Sequence, residues 1–239
     1  MTVSATRIGF DRFIALEWAT VALKVRAALA AVEELDAVLD AAALGTAARK
    51  KTRTVLNRLW LEPRSELVGF AERGAMIFKE HSTVPIAALT WGMAIATYPF
   101  FGTVAEIVGR LSALQGDCSS AEVHRRMSER YGEREGTYRM TNMVLQSQAS
   151  WGAIARIANT RRLVRQSPIV VTNPQAVAWL AEGALRYAGK AIPIDAMSSL
   201  TVLYPFRLAQ PVAYVVSRSP TLDVSSGPAG RMSVRLHVL

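Results

Sequence analysis

The stretch from Thr103 to Arg165 is TVAEIVGRLSALQGDCSSAEVHRRMSERYGEREGTYRMTNMVLQSQASWGAIARIANTRRLVR, three helical patterns followed by a short arginine-rich run with a turn in its middle. In the first pattern, Val104, Ile107, Val108, Leu111 and Leu114 return at three- and four-residue steps, so one face is apolar and packs inward. Gly116, the residue type that most readily takes a left-handed conformation, is placed to stop this helix. The second pattern opens with Ser119-Ser120-Ala121-Glu122, where a serine and a glutamate three residues later predict a capping box. Val123, Met127 and Tyr131 make its buried stripe, while His124, Arg125, Arg126 and Arg130 point elsewhere, and Gly132 closes it.

The third pattern, Arg134 to Trp151, has two faces that differ in kind. Tyr138, Thr141, Val144, Leu145 and Gln148 fall on or near one face; Glu135, Arg139, Asn142 and Gln146 share the other. Any solvated helix carries such polar residues. Arginine, asparagine and glutamine also make bidentate contacts with base edges in a major groove, which is wide enough to admit a helix. After Gly152, Ala153 to Ile157 and Arg161 to Arg165 flank an Asn159-Thr160 turn, the pattern of a β-hairpin with a basic tip. Helix, helix, helix and basic hairpin in this order predict a winged helix-turn-helix.

Charge is concentrated in the same place. Between Ser119 and Gln166 nine arginines face four glutamates, a net +5 that is more than half of the chain's formal +9. The candidate DNA contacts are Arg125, Arg126, Arg134, Arg139, Asn142, Gln146, Arg161 and Arg162, of which Arg139, Asn142 and Gln146 are suited to base edges and Arg161 and Arg162 stand at the wing. The basic balance excludes neither nucleic acid nor an anionic membrane surface as partner. The apolar run Ile86 to Phe101 is too short to span a bilayer and meets Pro99, which predicts a buried helix and no membrane insertion.

At 239 residues, 51% of them hydrophobic, the chain can bury a substantial core. The expected architecture is mainly α: a helical bundle over residues 1–98, a central winged helix-turn-helix over 99–167, and a small α+β part over 168–239. In the bundle, Phe10 to Leu44 is periodic as one broken helix or two, Ala47 to Trp60 is a helix with a basic start at Arg49, Lys50, Lys51 and Arg53, and Arg64 to Glu80 and Pro85 to Tyr98 complete it. Basic side chains at a helix start oppose its dipole, so they are either solvated or a second phosphate patch. Trp91, Met93 and Phe100 are core. Asn173-Pro174 caps a helix that stops at Gly189. Beyond it, Ser199 to Phe206, Pro211 to Ser217, Thr221 to Val224 and Arg231 to Leu239 are expected as strands, with a turn across Ser225 to Gly230.

Catalytic patterns are absent. His81, His124 and His237 are dispersed without carboxylate or thiol at ligand spacing, which predicts no metal site. Cys118, the single cysteine, cannot close an internal disulfide and lacks a plausible base, so a structural thiol is expected. No phosphate-cradling glycine loop occurs, and neither a catalytic residue nor a cofactor is predicted. The start, Met1 to Arg7, lacks the apolar core of a signal peptide, which fits a cytoplasmic protein.

The segment from Thr52 to Ile157 resembles the BrxA family of the BREX phage-exclusion systems, through Leu89 to Phe101, Val108 to Leu111, Arg126 to Arg134 and Ser147 to Gly152. These motifs are packing and turn residues. The resemblance implies a compact helical protein with helix-turn-helix character that binds double-stranded DNA beside other proteins of a defence complex, and it implies no catalytic residue. The residues themselves also allow a protein-interaction scaffold whose winged helix docks an acidic partner, or an RNA-binding bundle.

Overall fold

The computed structural model describes residues 9–226 and 230–237. Met1 to Ile8, Gly227, Pro228, Ala229, Val238 and Leu239, together with the side chain of Leu114, lie outside the described residues. The fold is mainly α with small sheets. Helices α1 (Leu16–Arg26), α2 (Val32–Ala41), α3 (Thr46–Leu56), α4 (Val68–Glu80), α5 (Ile86–Thr97) and α6 (Pro99–Gln115) lead into strand β1 (Asp117–Ser119). Helices α7 (Ser120–Tyr131) and α8 (Glu135–Ser150) then precede β2 (Ile154–Arg156) and β3 (Arg162–Arg165). The remainder holds β4 (Ile169–Val171), α9 (Pro174–Ala188), β5 (Ile192–Pro193), β6 (Phe206–Leu208), α10 (Val212–Ser217), β7 (Leu222–Ser226) and β8 (Met232–Leu236).

Helix α5 explains the long apolar run of the sequence. Every residue from Ala87 to Thr97 is buried, so the helix is apolar all round because all of its faces meet protein. Tyr98 leaves helical geometry and Pro99 restarts the chain as the first residue of α6. No helix among the described residues is long and apolar enough to cross a membrane. Around α5 a single buried cluster extends from Phe10 to Val234 and takes residues from all three expected segments.

The ends of the chain depart from expectation. Phe10 to Ala15 is extended and not helical, and it is sewn to α8: the Ile14 amide donates to Ser147 Oγ at 2.9 Å, the Leu16 amide to Ser150 Oγ at 3.1 Å, and Trp151 Nε1 to the Ile14 carbonyl at 2.9 Å. An extended segment needs partners for its backbone, and these side chains supply them. The expected strand at Pro211 to Ser217 is α10, with Val212, Val215 and Val216 buried at helical spacing. Valine's preference for strands loses here to the burial of one helical stripe. Ser199 to Phe206 is likewise mostly a short 3-10 turn at Thr201–Leu203, and only Phe206 enters a strand. The other two expected strands are present as β7 and β8, paired antiparallel, with β5 on the outer edge of β8. Strand β4, unforeseen, pairs in parallel with β6, α9 forming part of their connection.

Basic charge at the start of α3 is answered by α2. Arg49 bonds Asp36 at 3.1 Å and Asp40 at 2.6 Å, and Arg53 bonds Asp36 at 2.6 Å. The phosphate-patch alternative for these two arginines therefore meets carboxylates already in place.

Close backbone approach limits one helix in particular. A Cβ on Gly109 of α6 would stand 2.1 Å from the Thr201 carbonyl oxygen, whereas one on Gly69 of α4 would meet only the flexible Arg73 side chain at 3.5 Å. Gly109→Ala should therefore destabilise the protein by about 1–3 kcal/mol through overpacking. Gly69→Ala should be neutral or stabilise by up to about 1 kcal/mol, because alanine loses less backbone freedom in a helix. Chemical denaturation of the two variants beside the parent measures both signs.

Candidate nucleic-acid interface

Residues 99–165 run α6, β1, α7, α8, β2, β3, with the strands arranged β1-β3-β2 and all pairings antiparallel. This is a winged helix-turn-helix in which the hairpin β2-β3 is the wing and β1, absent from the sequence reading, is its third strand. Cys118 faces Leu163 across the first pair, and both are buried with Ile154. Burial, and then the neighbouring Asp117 charge, push the Cys118 thiol up to about 11, so it stays protonated and unreactive at neutral pH. Gly116 takes φ +75° at the end of α6, and Asn159 takes φ +58° in the wing turn, a conformation asparagine tolerates.

The capping box is replaced by a simple N-cap. Ser119 Oγ accepts from the Ala121 amide at 3.2 Å. Glu122 instead turns toward α7's own arginines, accepting from Arg125 Nη2 at 2.7 Å and Arg126 Nε at 2.9 Å. Bonds from Arg125 first and Arg126 second hold the Glu122 carboxyl down at about 2. Arg125 also reaches Glu129 at 2.5 Å. The charges of Arg125 and Arg126, both predicted DNA contacts, are thus largely compensated within α7.

The two faces of α8 separate largely as expected. Thr141, Val144, Leu145 and Gln148 are buried; Arg139 is exposed, and Asn142 and Gln146 are half-buried on the outer side. Arg134 is the residue before the first turn, exposed, with Nη2 on the Tyr131 carbonyl at 2.9 Å. Wing and helix are joined directly: Arg156 of β2 donates from Nη2 to Asn142 Oδ1 at 3.2 Å. At the wing tip Arg161 is exposed, while Arg162 is tied to Asp117 of β1, its Nε at 3.0 Å from Oδ2. Among the described residues, Arg130, Arg139 and Arg161 have no carboxylate within ion-pairing distance, whereas Arg125, Arg126 and Arg162 do.

Two side chains reverse their expected positions. Tyr138, placed on the inner face of α8 by its spacing from Thr141 and Leu145, is 59% exposed, because at the edge of the stripe it lies one turn before Asn142. His124, expected to point away, is only 8% exposed and stacks on Tyr138 with ring centroids 3.9 Å apart and planes at 18°. The signal was present in the spacing: His124 lies three residues before Met127 and seven before Tyr131, on the α7 stripe. Tyr138, stacked on His124, and Arg156, bonded to Asn142, therefore lie beside the residues on which the sequence places candidate base contacts.

No group of three or more histidine, cysteine or acidic residues among the described residues could hold a metal ion. Comparisons with protein-family models, with curated proteins and with solved structures find no match to this chain.

Burial, and then the nearby Arg156 charge, lower the His124 pKa from its ordinary 6.5, so the native protein holds a neutral imidazole that the unfolded chain protonates more readily. The stability this contributes is complete above about pH 6.5 and is lost as pH falls through the folded-state value. His124→Phe keeps the ring stack but cannot titrate. Melting temperatures taken from about pH 7.5 down to about pH 5 should fall less steeply in the variant than in the parent; parallel curves would remove His124 from the acid response.

Proposed function

We propose that the protein is a non-enzymatic, double-stranded-DNA-binding component of a bacterial anti-phage assembly of the BREX kind, working in the cytoplasm beside other proteins of that complex. The observation that carries this reading is the continuity of α8's outer face with the wing through the Arg156–Asn142 bond, bordered by the exposed arginines Arg134, Arg139 and Arg161. A helix presented to a major groove with a basic hairpin beside it matches the groove on one side and the phosphate backbone on the other. The resemblance of Thr52 to Ile157 to the BrxA family supports the biological setting. Arg139 is suited to a guanine edge and Asn142 to an adenine edge, the latter after exchanging Arg156 for the base. Arg134, Arg156 and Arg161 are suited to phosphates, and Gln146 lies farther along the same face. A buried, protonated thiol and scattered histidines support a non-enzymatic role.

A second reading, docking of an acidic protein, is favoured by the surface pairs of Arg125, Arg126 and Arg162, since arginines that already hold carboxylates can exchange them for a partner's. Gel shifts with random duplex DNA, single-stranded DNA and RNA separate the classes. Duplex binding that falls steeply as salt rises supports DNA; absence of any duplex shift leaves the docking role.

Within the DNA reading the pairing of the wing arginines sets an order. Arg161→Ala should weaken duplex binding on all sequences more than Arg162→Ala does, because Arg162 must leave Asp117 before it meets a phosphate. Arg139→Ala should cost about 1–3 kcal/mol on a selected site and less on random duplex, without lowering the melting temperature. Leu145→Ala, on the buried side of the same helix, should instead destabilise the fold by about 2–5 kcal/mol. Binding isotherms paired with denaturation curves check all four substitutions' effects, and equal losses for Arg161→Ala and Arg162→Ala would remove the ordering.

A further inference from the structure

Away from the winged helix, α4, α9, α10 and the turn after α10 enclose a cleft of about 520 Å³. That volume lies within the range of small-molecule sites. Its walls are apolar, with Trp179 and Ala178 from α9, Ile77 from α4 and Val215 from α10. Met76 and Tyr214 line it too and are 56% and 59% exposed, two large side chains left uncovered.

The charges in the cleft restrict the ligand. Glu182, 1% exposed, accepts from Arg73 Nη2 at 2.6 and 2.9 Å, from Arg186 Nη2 at 2.7 Å and from Thr221 Oγ1 at 2.8 Å. Both oxygens are therefore engaged, and a cationic ligand finds no open acceptor there. One carboxylate held between two guanidiniums leaves one positive charge uncompensated. Arg73 remains partly exposed, and its Nε and Nη1 have no hydrogen-bond partner among the described residues. Arg218, also lining the cleft, lies over the Tyr214 ring at 5.5 Å, donates to its hydroxyl at 3.0 Å and holds no carboxylate among the described residues. Glu80, exposed, is the other acid in the lining, so Arg73 and Arg218 are formally balanced by Glu182 and Glu80. The excess positive charge is that of Arg186, which bonds Glu182 without lining the cleft, and the guanidinium groups that line it are those of Arg73 and Arg218.

We infer that this cleft binds a small organic anion with an apolar, aromatic or aliphatic, body: its carboxylate- or sulfonate-type group meets Arg73 and Arg218, and its body lies against Trp179, Ala178 and Met76. The inference is independent of the DNA-binding proposal, since none of these residues belongs to the winged helix.

The test is a fluorescence titration of the full-length protein with 1-anilinonaphthalene-8-sulfonate, beside N-phenyl-1-naphthylamine, which keeps the rings and lacks the sulfonate. The expected result is saturable binding of one sulfonate per chain, at least about tenfold tighter than the neutral amine, a margin near 1.4 kcal/mol. Arg218→Ala, an exposed change, should weaken the sulfonate about five- to tenfold and leave the amine unchanged. Ala178→Trp, which fills the cleft, should abolish both, whereas Arg161→Ala on the wing should alter neither. Circular dichroism melting establishes that each variant is folded; should Ala178→Trp unfold, Arg218→Ala against Arg161→Ala carries the decision. Equal binding of the two probes, no response to Arg218→Ala, or loss on Arg161→Ala overturns the inference.

Discussion

The indole of Trp91 stands edge-on to Phe101, Trp151, Tyr204 and Phe206, with ring centroids 5.1–6.1 Å away, and donates from Nε1 to the Val202 carbonyl at 2.9 Å. These rings come from α5, α6, the end of α8 and the segment around β6, so one side chain ties elements that are far apart in sequence. Each such aromatic pair contributes about 0.5–1.5 kcal/mol beyond its buried area. The ring polar atoms at the cluster's edge are bonded, Trp151 Nε1 to the Ile14 carbonyl and Tyr204 Oη to Gln148 Oε1 at 2.9 Å, while Gln148 Nε2 is buried without a partner among the described residues. A buried aromatic cluster whose ring donors and hydroxyl are bonded has few alternative packings.

The orientation of α8 follows from that constraint. Gln148 and Trp151 are fixed into the cluster from one side of the helix, and Val144 and Leu145 follow them inward at helical spacing. Arg139 and Asn142 are then turned outward, and the wing that continues from Trp151 must run beside them. The Arg156–Asn142 bond is the local expression of this geometry. The polar face and the packing face thus lie on opposite sides of the same sixteen residues.

What the sequence disclosed and what it concealed divide along the range of the interactions. Periodicity located α5, α6, α7, α8 and α9 because burial of one stripe, glycine at the stops and proline at the starts are local signals. The buried half of α8 was legible for the same reason, and so was Arg139's exposure. Long-range pairs were not. Nothing near Arg162 announces Asp117, 45 residues away, and nothing near Ser147 announces Ile14 at a separation of 133. Residues at the border of a stripe were ambiguous, as Tyr138 shows, since a ring there can turn either inward or onto a neighbour such as His124. Valine-rich Val212 to Val216 misled because composition favoured a strand while the positions of the buried valines suited a helix.

The distribution of the arginines carries the remaining step. A count of nine between Ser119 and Gln166 treats them as equal, but folding divides them into groups of different use. Arg125 and Arg126 converge on Glu122, and Arg162 on Asp117, exposed pairs that add little stability and dilute the field. Arg165 turns inward, its guanidinium bonded to the Tyr204 carbonyl and lying over that ring at 5.7 Å, so it belongs to the seam between the wing and the carboxy-terminal part. Among the described residues, Arg130, Arg134, Arg139 and Arg161 are exposed without a carboxylate in ion-pairing distance, and Arg156 is held by a neutral amide. The unpaired positive charge of the region therefore lies at the end of α7, before and on α8, and on the hairpin next to it. The polar face of α8 is thus bordered by cations that folding leaves without a carboxylate among the described residues.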